Sequence, residues 1–123
     1  MAQSVIPITV LSANAGVQDA GGLSLATLAG NAAGGSIATS QTRNLIIRVS
    51  NTDVAAHVIT FLAGVYPPSI RSAGNLAISV AAGKTEYIAL ESSRFVDANG
   101  NISVTADAGS AGDIEAYQLG SGV

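Results

Sequence analysis

The chain has 123 residues, no cysteine and a formal net charge of −3, from five Lys and Arg and eight Asp and Glu. This length suits one domain with its own core, and the lack of cysteine excludes disulfides and thiolate metal sites. With few cations and no Trp, the composition argues against nucleic-acid binding, which needs cations to displace counterions and aromatic rings to stack on bases.

The balance of apolar and charged residues is unusual. Charged residues make up 11% of the chain and hydrophobic residues 48%, whereas about a quarter of a typical soluble domain is charged. Either part of the surface is covered by an oligomer or a larger partner, or the chain is simply a small Ala-rich domain. No membrane partner is expected, because the long charge-free stretch 20–42 is interrupted by glycines and polar residues. No Lys or Arg precedes the first apolar run, which argues against a secretory signal.

Residues 1–12 read as one N-terminal strand, with Val5, Ile6, Pro7 and Ile8 at its centre. Pro7 has no backbone donor, so it favours an edge strand or an extended arm. Two interpretations follow. The segment is an ordinary first strand of the domain, or it is an arm that reaches a neighbouring subunit.

Residues 13–43 form an Ala- and Gly-rich segment whose large anchors before Ile37 are Leu23, Leu25 and Leu28. We expect a meandering segment with one irregular strand near Ser36 to Thr42. The pattern also allows a short helix over Leu23 to Leu28, which the glycines at 21, 22 and 30 confine. Connections of this length tend to be functional or partly disordered. Its sparse charge indicates that it packs on the domain as an irregular segment.

Residues 44–64 carry the clearest pattern. Two runs of alternating, β-branched residues flank the polar turn Asn51-Thr52-Asp53, which predicts two strands joined as a hairpin. We expect one face of the first strand to be buried against Val58 or Phe61 of the second. The residues of that face are Leu45, Ile47 and Val49.

The rest of the chain repeats this pattern. Strands are predicted at 76–80 and 85–90, joined as a hairpin by a turn at Gly83. Two more are predicted at 94–96 and 102–105, on either side of the Asn99-Gly100 turn, and a last one at 114–119. About eight strands with turns between them indicate an all-β, antiparallel fold: a β-sandwich, which we expect to be jelly-roll-like, or a small barrel. Residues 44–123 would form its core, giving one domain overall.

No residues point to catalysis, a cofactor or a metal. His57 is the only histidine, and no nucleophile motif accompanies it, so a structural or surface role is expected. Asp97-x-Asn99-x-Asn101 resembles the opening of a calcium loop but lacks its closing Glu, which favours a hairpin turn. The scattered carboxylates lack the aromatic cleft that glycoside hydrolysis uses, and Glu91 and Arg94 read as an exposed pair.

From Asn44 onward the sequence resembles a group of small tailed-bacteriophage virion proteins. The landmarks are the strand Leu45 to Thr52, the strand His57 to Phe61, the Ala82-Gly83-Lys84-Thr85 turn, Arg94-Phe95 with the turn that follows it, and Ile114 to Leu119. The resemblance covers about the last 80 residues.

The resemblance implies an all-β sandwich that coats the outer surface of a phage capsid as a decoration, or cement, protein. Its partners would be the major capsid protein and itself, commonly as a homotrimer, with no enzymatic activity, no cofactor, no nucleic acid and no membrane. The expected location is the virion, after assembly in the host cytoplasm. The candidate partner-binding residues are Val5, Ile6, Pro7, Ile8, Leu23, Leu25, Leu28 and Tyr66.

Two other functions remain as alternatives. A receptor- or glycan-binding module of the virion would present exposed aromatic side chains at loop tips, and Tyr66 beside Pro67 and Pro68 is the candidate. A small hydrolase is disfavoured, because no nucleophile and base stand in a recognisable arrangement.

Overall fold

The computed structural model describes residues 3–11, 14–18, 21–38, 45–64, 74–90, 95–98 and 100–119. These residues are mostly β-strand, with one short helix. In chain order the elements are Ser4–Val5 (β1), Ile8–Leu11 (β2), Leu23–Ser24 (β3), Leu25–Gly30 (α1), Gly35–Ile37 (β4), Leu45–Asn51 (β5), His57–Phe61 (β6), Leu76–Val80 (β7), Thr85–Ala89 (β8), Ile102–Ala106 (β9) and Gly112–Leu119 (β10).

The strands form two sheets. The first has the order β1-β4-β9-β6-β7, and the second has the order β2-β10-β5-β8, with β3 pairing with the first part of β10. Two pairings, β1 with β4 and β2 with β10, are parallel. The sheets are therefore mixed, and the expectation of a purely antiparallel fold is wrong. Parallel neighbours need a long connection between them, and the N-terminal strands meet this condition because they pair with strands far along the chain.

The predicted hairpin at 44–64 is also wrong. Strand β5 lies in the second sheet and β6 in the first, so the polar turn between them crosses from one sheet to the other. The predicted hairpin of 76–80 with 85–90 is wrong for the same reason, because β7 lies in the first sheet and β8 in the second. Alternation identifies which face of a strand is buried, and it does so equally for a hairpin and for a crossing between sheets.

The faces themselves agree with the sequence. Leu45, Ile47 and Val49 are buried in β5, and Phe61 is buried opposite them in the same core, together with Ile59. Val58, the other proposed contact, lies on the partly exposed face of β6.

Segment 13–43 contributes to this core through α1. Leu25 and Leu28 lie three residues apart, on one side of the helix, and both are buried against β9 and β10. The helix begins two residues later than expected because Leu23 and Ser24 pair with β10 instead. A strand forms at Gly35–Ile37, near the start of the predicted one. None of the described helical residues forms a segment that could cross a membrane.

The N-terminal segment divides at Pro7 between the two sheets. Strand β1 pairs with β4 in the first sheet, and β2 pairs with β10 in the second. Ile6, between them, is buried, and its amide donates to the carbonyl of Ser36 at 2.9 Å. Pro7 has no backbone N–H, so its nitrogen needs no acceptor at this crossing. Its carbonyl accepts from the amide of Ala116 at 3.4 Å.

The turn predicted at 97–101 is confirmed at its described residues, 97, 98, 100 and 101. Val96 bridges Ile102, and the amide of Asp97 donates to the carbonyl of Asn101 at 2.8 Å. Gly100 has a φ of 79°, which suits a residue without Cβ. The carboxylate of Asp97 accepts from the amide of Asn101 at 3.0 Å, so it stabilises the turn. Glu91 and Arg94, expected to pair, lie outside the described residues.

Gly112 provides a test of the packing between β5 and β10. Its φ is 118°, and a Cβ there would lie 1.9 Å from the carbonyl oxygen of Ser50. Replacing Gly112 with Ala combines backbone strain with a backbone clash, so we expect a loss of about 3 kcal/mol or more in the free energy of unfolding, measured by urea denaturation.

The matched control is Gly83→Ala. Gly83 also has a positive φ, of 69°, but nothing lies within 4 Å of a Cβ there. Gly83→Ala should lower the free energy of unfolding by only about 1 kcal/mol. Equal losses in the two variants would show that the clash with the carbonyl of Ser50 adds nothing to the cost of the positive φ.

Candidate functional site

The residues proposed to bind a partner are separated by the fold. Ile6, Leu25 and Leu28 are buried in the chain's own core. The expectation that they contact a partner is therefore corrected, because their apolar side chains already stabilise this domain. Pro7, Ile8 and Leu23 are partly buried. Val5 is 66% exposed, and Tyr66 lies outside the described residues.

The side chain of Asn51, at the end of β5, makes four hydrogen bonds. It is 1% exposed, and its Nδ2 donates to the carbonyls of Ala55, Val80 and Ala81 at 2.9, 3.0 and 3.3 Å. Its Oδ1 accepts from the amide of Asp53 at 2.9 Å. One amide group thereby joins the β5–β6 turn to the β7–β8 turn.

The backbone of the same residue and its neighbour extends this junction. The amide of Asn51 donates to the carbonyl of Lys84 at 2.9 Å, and the amide of Thr52 donates to the carbonyl of Ala111 at 3.1 Å. Three connections, β5–β6, β7–β8 and β9–β10, therefore meet at one end of the two sheets.

His57 lies at this end, between two carboxylates. Its Nε2 is 2.6 Å from Oδ2 of Asp53, and its Nδ1 is 2.7 Å from Oδ1 of Asp107. The other oxygen of Asp107 accepts from the amide of Val58 at 3.1 Å. Ser110 donates its hydroxyl to Oδ1 of Asp107 at 2.8 Å. The histidine side chain is 10% exposed, so the ring itself links the β5–β6 turn to the β9–β10 loop.

The electrostatics of this cluster favour a charged histidine. Hydrogen bonds to Asp53 and then Asp107 raise the pKa of His57 above its ordinary value of 6.5, although burial opposes this. The hydrogen bond from His57 lowers the pKa of Asp53 below 3.8. Burial opposes ionisation of Asp107, but hydrogen bonds from Val58, Ser110 and His57 outweigh it and lower that pKa as well. An imidazolium donates from both nitrogens, and each meets a carboxylate here.

This arrangement can lock loops together, but it lacks the geometry of a catalytic triad. Both ring nitrogens of His57 are occupied by carboxylates, and the hydroxyl of Ser110 is directed at Asp107. A general base needs a free nitrogen within reach of a nucleophile. The cluster fits the structural role expected for His57. Its partner Asp107 is 50 residues away, and no local pattern in the sequence indicates the pairing.

An open depression lies beside the cluster. It has a volume of about 470 Å³ and is lined by Ala26, Ala29, Gly30, Ala108, Gly109 and Ser110. The only side-chain polar atom in this lining is the hydroxyl of Ser110, which is already bonded to Asp107. Small apolar residues give such a depression little means of orienting a ligand.

A second polar cluster crosses the outer face of the second sheet. Nη1 of Arg48 lies 3.2 Å from Oε1 of Glu115 and 3.7 Å from Oδ1 of Asp113. The hydroxyl of Tyr117 donates to Oε2 of Glu115 at 2.6 Å. Burial opposes the charge of Arg48, but a hydrogen bond with Tyr87 and the two carboxylates keep its pKa above the ordinary value. Through these ion pairs, Arg48 joins β5 to β10.

Within the described residues, no group of three or more His, Asp or Glu side chains is arranged to hold a metal ion. Comparisons with protein-family models, curated proteins and solved structures find no match for this chain. Its function must therefore be argued from its own residues.

The role of Asn51 can be tested with Asn51→Asp, which keeps the shape of the side chain but places an oxygen against three carbonyls. We expect this variant to lose about 3 kcal/mol in the free energy of unfolding, because donors are replaced by acceptors in a buried site. Urea denaturation measures the change.

Asn75→Asp is the matched control for that substitution. Oδ1 of Asn75 accepts from the amide of Ala63 at 2.6 Å on the surface, and Asp retains this acceptor. The control should change the free energy of unfolding by about 0.5 kcal/mol or less. A similar loss in both variants would contradict the role assigned to Asn51.

The His57 cluster predicts a defined pH dependence. The raised pKa of His57 gives stability that is fully present below 6.5 and is lost as pH rises through the folded value. The lowered pKa values of Asp53 and Asp107 give stability that is present above 3.8 and is lost as pH falls through their folded values. The contribution is therefore greatest between 3.8 and 6.5.

Thermal melting of the wild type and His57→Gln across this range measures the contribution. The melting temperature of the wild type should exceed that of the variant most at about pH 5, and the difference should shrink by about pH 9. A difference that stays constant with pH would show that the ring acts only through packing.

Proposed function

We propose that the protein is a structural virion component that binds the outer surface of a phage capsid and stabilises the shell as a decoration, or cement, protein, without enzymatic activity. Its partners on this proposal are the major capsid protein and further copies of itself, as a homotrimer. The landmarks of the resemblance to small tailed-phage virion proteins support it. They fall on β5, β6, the β7–β8 turn and β10.

The observation that carries the proposal is the exposed apolar N-terminal edge. Val5 is 66% exposed and Val10 is 55% exposed. They lie on β1 and β2, which end the first and the second sheet respectively. The first 18 residues contain no charged side chain. Free sheet edges are usually protected by charge, so an uncharged, apolar edge favours contact with another protein.

The internal polar clusters also support a scaffold role. Asn51, His57 and Arg48 direct their side chains to partners in the same chain. A domain whose loops are tied in this way loses little conformational entropy when it binds, which favours a protein whose work is to clamp its neighbours. Stabilisation of a shell then follows from binding by mass action.

We further propose that the two sheets form a jelly-roll-like β-sandwich. Buried residues from both sheets belong to one hydrophobic core. Successive strands from β4 onward repeatedly change sheet, as they do where two sheets are wound together face to face.

A second candidate, recognition of a host glycan by the virion, is favoured by one observation. Tyr87 is 69% exposed on the outer face of β8, beside Arg48, whose neighbour Asp113 is also partly exposed. An exposed ring next to hydrogen-bonding groups suits a ligand with both apolar and polar faces. Tyr66, the candidate from sequence, is not among the described residues.

The capsid proposal is tested by adding purified protein to undecorated shells. The wild type should sediment with the shells and raise their melting temperature. Val5→Lys with Val10→Lys should weaken binding about tenfold or more, because both lysines would have to be desolvated in the interface. Co-sedimentation and calorimetry provide the readouts.

Val54→Lys is the control, because Val54 is 95% exposed on the β5–β6 turn, away from β1 and β2. It should bind like the wild type. A wild-type protein that neither binds nor protects the shells would refute the proposal. A glycan array that responds to the wild type but not to Tyr87→Ala would support the second candidate instead.

A further inference from the structure

Strand β8 (Thr85–Ala89) ends the second sheet on the side away from the N-terminus. Among the described strands it pairs only with β5. Thr85, Tyr87 and Ala89 are all exposed along it. None of these three side chains is charged, and the strand contains no proline, so its outer face lacks two common features that prevent an edge from pairing with another chain. The inward-facing charge of Glu86 is a third such feature, and it opposes any added strand that leaves this charge unpaired.

Glu86, between Thr85 and Tyr87, faces the opposite way. Its side chain points to the inner face of the sheet, since it lies opposite Val49, which is fully buried. Its Oε2 is buried and has no hydrogen-bond partner. It also makes no ion pair with any cation among the described residues. Buried carboxylate oxygens are nearly always paired, because an unpaired one loses its hydration without compensation.

We propose that β8 is a docking edge for an extended, basic segment of a partner protein. The segment adds a strand beside β8 and places a Lys or Arg against Glu86. Adjacent strands lie about 4.8 Å apart, and directly opposed side chains lie about 5 Å apart. An inward-facing cation on the added strand is therefore within reach of the unpaired oxygen.

The neighbouring residues define the rest of the segment. Ile88, two residues after Glu86, also faces inward and is buried, so the added strand needs an apolar residue two positions from its cation. On the outer face, Tyr87 is 69% exposed and offers a ring for the partner to cover. The inward carboxylate also rejects purely apolar strands, which would leave it unpaired.

This docking mode uses the opposite end of the second sheet from the N-terminal edge. It does not depend on the capsid proposal, because any protein that presents such a strand satisfies it. The mode is β-strand addition, in which main-chain hydrogen bonds supply affinity and alternate side chains supply specificity.

A capped heptapeptide, Thr-Val-Thr-Lys-Thr-Val-Thr, is the probe. Titrated into isotope-labelled protein, it should shift the backbone amide signals of residues 85–89 most strongly. Replacing its Lys with Glu, or methylating alternate backbone nitrogens, should weaken binding about tenfold or more. Binding should also weaken as salt is added.

Glu86→Gln should weaken binding of the Lys peptide about tenfold while leaving the melting temperature unchanged or higher, since the unpaired charge is removed. Asp113→Asn is the matched control. It removes the same charge from the outer face of the same sheet. The affinity of this variant for the Lys peptide should stay within about twofold of the wild-type value. If Glu86→Gln does not fold, the Lys and Glu peptides compared on the wild type decide the question.

The proposal is overturned by any of three results: no binding of the Lys peptide at saturation, equal affinity for the Lys and Glu peptides, or amide shifts centred on residues 8–11 at the other edge. Unchanged affinity in a folded Glu86→Gln protein would also overturn it.

Discussion

The organisation of this fold depends on the hydrogen bonds that the buried side chain of Asn51 makes. Strand β5 ends where the chain leaves the second sheet for the first, and two connections between the sheets meet there with backbone carbonyls that need donors. The Nδ2 group of Asn51 supplies donors to three of them, at residues 55, 80 and 81. Because these carbonyls belong to two different connections, one side chain fixes how both cross between the sheets.

The His57 cluster adds charge to the same end of the molecule. Asn51 links the β5–β6 and β7–β8 turns, and His57 links the β5–β6 turn to the β9–β10 loop through Asp53 and Asp107. The neutral junction is independent of pH, whereas the charged one strengthens when histidine is protonated and both carboxylates are ionised. This end of the domain thus combines a permanent connection with one that responds to acidity.

The two edge strands of the second sheet, β2 and β8, both expose side chains that carry no charge. At one end β2 presents an exposed valine on an uncharged segment, and at the other β8 presents an exposed tyrosine with an inward, unpaired carboxylate. Edges of this kind are normally shielded from other chains. Their openness, together with polar clusters that are satisfied internally, is consistent with a protein that acts by contact. The capsid proposal assigns one edge to a shell or to other copies, and strand addition gives the other edge a basic partner.

The sequence by itself determined the six strands from β5 to β10 and the buried face of β5, but not the division of the N-terminal strand at Pro7 or strand β3. Alternation in Leu45–Asn51 and His57–Phe61 follows from the two-residue period of an extended chain, and the Asn99-Gly100 turn follows from the freedom of glycine at positive φ. Only the tertiary structure decided which strands pair. The same alternation suits a hairpin and a crossing between sheets, so β5 and β6 were assigned as neighbours although they lie in different sheets. The contacts of His57 with Asp107 and of Arg48 with Glu115 join residues 50 and 67 positions apart. Such pairs depend on strand register, which is set by the packing of the whole core and leaves no local pattern in the chain.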